Sequence, residues 1–392
     1  MDNSTDGLKP FKNDIRGHSI KKLQFMFILS AGVVFVFMST GLRSIGANEK
    51  RGNVNTRNNL IFKSENEKTE NERARDQIFL QYATSVKFMN ELDSYKKTSR
   101  LPDVIGIGAE KCGTGALRSL LGSHPMIQVS DKEPHFFDRL RYNRGIAFYK
   151  TFLPKVSPHE LLFEKTPAYF NWNSSIPNFI KKDVPDAKII LVLCDPTARV
   201  FSDYEQEVAL GHASRAAGFD FLTESLLAQY SYQLNKRMDK DEEQIEYIAA
   251  MFEDYTTSHV LTTGLYYYHL LRWYKVYNRS EIHIIDGGEL INNPGKVIKE
   301  LQTFLRIPEF IISEDLTRSD TGFYCFSHPV VVSHDGKVVV SKTKPHCMSR
   351  SKGRTRMGKS GKPRDISITK LRRFYAPYNQ KLYKLLGRKF NW

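Results

Sequence analysis

Short apolar runs separated by amphipathic stretches recur along the C-terminal three-quarters of the chain. VIGIG at 104–108, LLFEK at 161–165, KIILVLCDP at 188–196 and EIHIIDG at 281–287 are each bounded by polar or turn residues, which is the pattern of strands buried on both faces. Between them, 115–122, 176–182, 199–211, 219–232, 265–277 and 297–305 read as helices. Strands alternating with helices predict one α/β domain over 101–392, with a parallel sheet covered on both faces. Ligands in such sheets bind beyond the carboxyl ends of the strands. Polar residues fall there repeatedly: Lys111 follows the first strand, Lys165 ends the second, and Asp195 and Arg199 follow the third. The charged stretch 236–246 reads as a helix or surface insertion with no visible chemistry.

One apolar run is of a different kind. Leu23 to Leu42, LQFMFILSAGVVFVFMSTGL, holds no charge and is flanked by Lys21, Lys22 and Arg43; about twenty helical residues cross a bilayer's hydrocarbon. No small-x-small cleavage site follows closely, so an uncleaved anchor is expected rather than a removed signal. Lys9, Lys12, Arg16, Lys21 and Lys22 precede the run, while Arg43, Lys50, Arg51 and Arg57 follow it, a mild lean toward a cytoplasmic N-terminus. The expected order is a cytoplasmic tail at 1–22, a transmembrane signal anchor at 23–42, a polar luminal stem at 43–100 with a possible helix over 67–97, and the α/β domain in a secretory lumen.

That placement bears on the four cysteines. Cys325 and Cys347 bracket VVVSHDGKVVV, which reads as a hairpin turning at Asp335-Gly336 and would bring its ends close enough to be bridged in an oxidising compartment. Cys112 and Cys194 lie inside strand-to-loop motifs and are expected as free thiols. Asn173 and Asn278 begin the sequons NSS and NRS, glycosylation acceptors in a lumen. The formal charge of +15 suits a polyanionic partner, and a luminal domain meets sulfated and carboxylated glycans rather than nucleic acid. Salt should weaken such binding.

The chemistry concentrates in VIGIGAEKCGTGALRSLL at 104–121. A strand, a glycine-containing turn and a helix aim backbone N–H groups and Lys111 at an anion, ordinarily a phosphate. No Gly-Lys-Ser/Thr ends the turn, which disfavours a nucleotide triphosphatase. In DKEPHFFD at 131–138, Glu133 and His135 would face one way if the segment is extended, and either could take a proton from a hydroxyl. With a sulfuryl group on a nucleotide phosphate as donor, Lys111 would stabilise the charge that builds on the leaving phosphate. A carboxylate opposite would take the hydroxyl proton, the groups being held in line. No metal is demanded. Ser202 stands where it could reach a second phosphate, and Lys352, Gly353 and Arg354 form a basic turn that is either a nucleotide cover or a solvated patch.

KCGTGAL at 111–117, EPHFFD at 133–138, EKTPAYF at 164–170, DPTARVFSDY at 195–204, IHIIDGGELI at 282–291, GFYC at 322–325 and SKGR at 351–354 together resemble the Golgi heparan sulfate sulfotransferases. The glucosaminyl 3-O-sulfotransferase branch is the best match. The resemblance implies a sulfotransferase-like α/β fold with a P-loop-like turn, type II topology in the Golgi membrane, and 3′-phosphoadenosine 5′-phosphosulfate (PAPS) as donor. It implies that Lys111, Gly113, Thr114 and Gly115 form the 5′-phosphosulfate turn, that Ser202 meets the 3′-phosphate, and that Lys352, Gly353 and Arg354 cover the nucleotide. Glu133 matches the base, with His135 and Asp138 orienting the acceptor and Lys165 and Gln206 lining the glycan cleft; Cys325 and Cys347 match a family disulfide.

Two positions depart from the family. Gly115 and Cys194 stand where arginines are usual, and Lys132 and Arg199 are the candidates to replace their charge. The expected activity is sulfuryl transfer to the 3-hydroxyl of glucosamine in heparan sulfate. The alternatives are another glycan position or acceptor, and a glycan-binding protein on a degenerate sulfotransferase fold. The long valine-rich hairpin suggests a distinct acceptor preference.

Overall fold

The computed structural model describes residues 95–212, 218–236, 241, 259–319, 324–326, 331–334, 337–340, 346–347 and 363–392. Its centre is a five-stranded sheet in which every pairing is parallel, made of β1 (Val104–Gly108), β2 (Ile127–Val129), β3 (Leu161–Lys165), β4 (Lys188–Leu193) and β5 (Ile282–Asp286) in the order β2-β3-β1-β4-β5. The central position of β1 follows from its composition. All five of its residues are buried, and a strand covered on both faces has no polar side to spare.

The four long apolar runs are β1, β3, β4 and β5, while the edge strand β2 is an addition to the expected set. Helices flank the sheet: α1 (Thr114–Leu121), α2 (Gly145–Lys150), α3 (Ile176–Asp183), α4 (Pro196–Leu210), α5 (Gly218–Lys236), α6 (His259–Thr262), α7 (Tyr266–Tyr274), α8 (Gly287–Asn292) and α9 (Pro294–Leu305). α4 begins three residues earlier than expected. Pro196 occupies its first turn, and the Asp195 carboxylate accepts a hydrogen bond from the Thr197 N–H at 2.9 Å, which is how a helix that starts at Asp-Pro satisfies an open N-terminal donor.

After α9 come two small antiparallel sheets. One holds β6 (Leu316–Arg318), β7 (Tyr324–Phe326) and β10 (His346–Cys347); the other pairs β8 (Val331–His334) with β9 (Lys337–Val340). His334 pairs with Lys337, and the expected turn at Asp335-Gly336 lies outside the described residues. Cys325 is disulfide-bonded and lies opposite Cys347 in register. The chain then closes with α10 (Asp365–Leu386), a helix the apolar pattern did not predict. Its residues Leu371, Phe374, Tyr375 and Tyr378 join Val200, Phe201, Tyr204, Val260 and Tyr268 in a second apolar cluster beside the sheet's core.

The segments 1–94 and 348–362, which carry the expected tail, anchor, stem up to residue 94 and SKGR turn, lie outside the described residues, while Thr98 at the end of the expected stem pairs with Val156. Among the described residues no helix is long and apolar enough to cross a membrane.

Gly106 shows how packing reaches the site. A Cβ there would lie 2.9 Å from the Phe163 ring and 3.0 Å from Cγ of Lys165, in the middle of the most buried strand. Gly106→Ala is expected to cost about 1–3 kcal/mol by overpacking, read as a lower urea midpoint. An unchanged midpoint would show that the ring moves aside freely.

Candidate active site

The turn after β1 has the backbone that an anion site requires. Lys111 and Gly113 both have positive φ, 68° and 92°, and no side chain caps α1, so its first N–H groups remain directed outward. A Cβ at Gly113 would meet only Leu290, at 3.6 Å; the left-handed backbone, more than space, favours glycine. Lys111 Nζ donates to Gln206 Oε1 at 2.7 Å. Gln206 lies one turn beyond Ser202 on the same face of α4, and both are half-buried. The structure therefore gathers Lys111, Gly113, Thr114, Ser202 and Gln206 around one turn and one helix.

Glu110, beside Lys111, adds an acidic group to this turn. Burial, and then the Asp203 carboxylate, raise its pKa. Residue type alone gave no signal for it, because a glutamate before a lysine reads as ordinary surface charge.

The second half of the site hangs on β3. Thr166 N–H donates to Gly106 O at 3.0 Å, and His135 N–H reaches Thr166 Oγ1 at 3.4 Å, which docks the 131–138 segment against the sheet beside β1. His135 and Glu133 do meet, His135 Nε2 lying 3.5 Å from Glu133 Oε2. The cause is not extended alternation, since His135 takes a left-handed φ of 48°. The other ring nitrogen, Nδ1, pairs with Asp138 Oδ2 at 2.6 Å. Lys165 Nζ donates to Glu133 Oε1, so one carboxylate faces an imidazole and an ammonium together.

The electrostatics follow from that crowding. Partial burial works against the Glu133 charge, but the His135 hydrogen bond and the Lys165 ammonium outweigh it and hold the pKa at about 2. Burial also works against the His135 charge, yet hydrogen bonds to Asp138 and Glu133 lift its pKa to about 9. Glu164, fully buried behind them, is pushed up to about 8 by burial. At neutral pH the site thus holds an ionised Glu133 and a charged His135, over a largely neutral Glu164.

Stability should carry this signature. A folded His135 pKa of about 9, above the ordinary 6.5, contributes stability that is fully present below pH 6.5 and is lost as pH rises through 9. Glu164 acts in the same sense between 4.5 and 8. The urea midpoint is expected to fall from pH 4.5 to 9, and in His135→Gln the fall between 8 and 9 should vanish while that between 6.5 and 8 shrinks to the share of Glu164. A midpoint equally pH-dependent in that variant would contradict the assignment.

Two expectations change. Cys112 and Cys194 are not free thiols but are joined to each other, their Cα atoms 5.3 Å apart, well within disulfide range. They sit just past the ends of β1 and β4, and those strands pair. Strand adjacency was the signal that spacing along the chain, 82 residues, conceals. Arg199 does not stand ready for a phosphate: it is 1% exposed, its Nη1 pairs with Asp203 Oδ2 at 2.9 Å and its Nη2 donates to Val260 O. Lys132 is exposed. Of the sequon residues, Asn278 is exposed and caps the short turn 279–281, while Asn173 is half-buried and accepts from Ser175 N–H at 2.7 Å. Lys352, Gly353 and Arg354 lie outside the described residues.

Comparison with known proteins gives this geometry a lineage. Residues 101–356 match the family described as "Sulfotransferase domain". Heparan sulfate glucosamine 3-O-sulfotransferase 5 of Homo sapiens is 30% identical over 295 residues, 75% of this chain and 74% of that protein. Heparan sulfate glucosamine 3-O-sulfotransferase 6 of Mus musculus is 29% identical over 296 residues, covering 75% and 74%. Among solved structures, the sulfotransferase from Alicyclobacillus acidocaldarius is 21% identical, with a TM-score of 0.48 over 74% of this chain and 98% of that one. A family match that begins just ahead of β1 and runs through the anion turn and the Glu133 cluster settles the kinship: the chain belongs to the sulfotransferase domain family.

Proposed function

We propose that this protein transfers a sulfuryl group from PAPS to the 3-hydroxyl of glucosamine residues in heparan sulfate. One observation carries the reading: an ionised carboxylate, Glu133, stands on β3's side of the site beside an anion-binding turn that bears Lys111 just after β1. Relatives at 29–30% identity carrying the 3-O-sulfotransferase name support the acceptor.

The residues divide the work. Lys111 and the N–H groups of Gly113, Thr114 and Gly115 hold the phosphosulfate end of the donor, Ser202 takes its 3′-phosphate, and Lys352, Gly353 and Arg354 close over the nucleotide. Lys165, Gln206 and Asp138 position the glycan. As the hydroxyl oxygen bonds to sulfur, its proton passes to Glu133. The bond from sulfur to the bridging phosphate oxygen breaks, and its electron pair stays on that oxygen, where Lys111 and the α1 N–H groups meet it. His135, held charged between Asp138 and Glu133, orients the carboxylate. The site works with side chains and backbone dipoles, with no part assigned to a metal.

The setting is a Golgi membrane, with the 23–42 anchor, a 43–100 stem and a luminal domain whose Cys325–Cys347 bridge and Asn173 and Asn278 sequons suit an oxidising, glycosylating compartment. Full-length protein given radiolabelled PAPS and heparan sulfate is expected to yield 3-O-sulfated glucosamine on disaccharide analysis. Sulfate at another position would keep the donor and correct the acceptor. Absence of transfer from folded protein would sink the enzyme.

A second reading, glycan binding on a degenerate fold, draws on the absence of cationic side chains at Gly115 and Cys194 and on the engagement of Arg199 with Asp203. Calorimetry with 3′-phosphoadenosine 5′-phosphate separates the two. No binding at millimolar nucleotide favours the non-enzyme.

A further inference from the structure

The Cys112–Cys194 bond occupies a place where it can control the anion turn. Cys112 lies between two residues of left-handed backbone, Lys111 and Gly113, and for a lysine that conformation is disfavoured by its own Cβ. In the turn, Cys112 N–H reaches Ala109 O at 3.2 Å, and Ala109 N–H reaches Val192 O at 2.8 Å. At the other end of the bond, Cys194 directly precedes Asp195, the residue that caps α4, and α4 carries Ser202 and Gln206. One covalent link therefore joins the strained turn to the helix that shares its site.

The surroundings are built around this link. The Tyr266 hydroxyl lies 3.3 Å from Cys112 Sγ and 3.9 Å from Cys194 Sγ, inside the core. Gly287, opening α8, comes so near that a Cβ on it would stand 3.0 Å from Cys194 Cβ and 3.1 Å from Cys112 O. A glycine against both partners and a tyrosine hydroxyl over both sulfurs fix the bond in one place.

We propose that the Cys112–Cys194 disulfide is a positioning element for the donor: it latches the anion-binding turn to the start of α4, and opening it lowers donor affinity more than glycan affinity, which loses only the placement of Gln206. The inference rests on the donor reading above. In a turn without the latch, Lys111 relaxes out of its left-handed backbone, and the N–H groups that face the donor scatter before binding. Donor binding must then reorder them, and that cost appears in the dissociation constant. Reduction by a dithiol is balanced: the reagent closes to a cyclic disulfide, and its two electrons and two protons convert Cys112 and Cys194 to two thiols.

The test measures 3′-phosphoadenosine 5′-phosphate binding by calorimetry on the full chain. Cys112→Ala/Cys194→Ala is expected to raise the nucleotide Kd at least about tenfold and to raise the donor KM, with kcat and heparan sulfate affinity each within about threefold. A second arm uses Cys325→Ala/Cys347→Ala protein, in which Cys112 and Cys194 are the remaining cysteines. Dithiothreitol should weaken nucleotide binding there, and oxidised glutathione should restore it, a recovery that a general folding lesion does not give. Equal Kd values in the linked and opened forms, within about twofold, overturn the inference and leave the donor reading standing. No nucleotide binding by the linked wild-type protein overturns the donor reading itself.

Discussion

Glu133→Gln protein is expected to bind 3′-phosphoadenosine 5′-phosphate as the wild type does and to lose about 10²–10⁴ in kcat, the usual worth of a positioned general base. Glutamine keeps the size of the side chain and a carbonyl oxygen for the Lys165 ammonium, but its amide cannot take a proton. The loss should fall on turnover rather than nucleotide affinity, because the turn proposed to hold the donor follows β1 while Glu133 belongs to the segment docked on β3. Full activity in the variant would remove Glu133 from the mechanism.

The geometry adds a second reading from the same assay. His135 and Lys165 hold Glu133 at about 2, so it is ionised but weakly basic until an acceptor hydroxyl competes for its oxygens. Lys165→Met should shift the acid limb of the kcat/KM profile upward, toward the ordinary glutamate value of about 4.3. An acid limb that stays in place would separate Lys165 from the base.

Arg199→Leu is expected to destabilise the domain by about 3–5 kcal/mol, the range for breaking a buried ion pair from one side. Asp203 is 2% exposed and would lose its buried cation beside Glu110, Glu207 and His259. Replacing both partners, as in Arg199→Leu/Asp203→Leu, should recover much of the loss, since a well-packed apolar pair is often no worse than the ion pair it replaces. Urea unfolding of the three proteins measures this. A single-variant loss below about 1 kcal/mol would mean the pair is not sealed from water, where such pairs are worth about that little.

The contrast between β1 and α10 shows where sequence reading works. VIGIG has no polar position and lies in the centre of a parallel sheet, so composition and place coincide. α10 carries its stripe of Leu371, Phe374, Tyr375, Tyr378 and Leu382 at helical spacing, but Pro377 within it reads as a breaker, and many basic residues dilute the pattern. Tertiary packing against Tyr268 and Val200 overrides both. β2 was missed for a plainer reason: three residues, Ile127–Val129, are too few to show a period.

The site divides in the same way. Lys111 and Lys165 were legible because the first follows an apolar strand and the second ends one. The Glu133–His135 contact was legible as a pair but not as a geometry, because the left-handed turn at His135 is set by docking against Thr166. Arg199 was misread: a helix arginine two residues after Asp-Pro-Thr looks available, and only burial shows that Asp203 and Val260 have claimed it. The Cys112–Cys194 bond needed strand order, which the chain alone does not state.

The strand order β2-β3-β1-β4-β5 divides the site between two sides. The proton-accepting cluster docks on β3 and the segment that follows β2, whereas the anion turn and its helix grow from β1 and β4. Under the proposed roles the 131–138 segment and the turn at 109–114 can therefore change separately, with Gln206, which pairs with Lys111, as the contact the two halves share. The chain's departures at Gly115 and Cys194 fall wholly on the donor side, beside an acceptor half that keeps its Glu133, His135, Asp138 and Lys165 contacts.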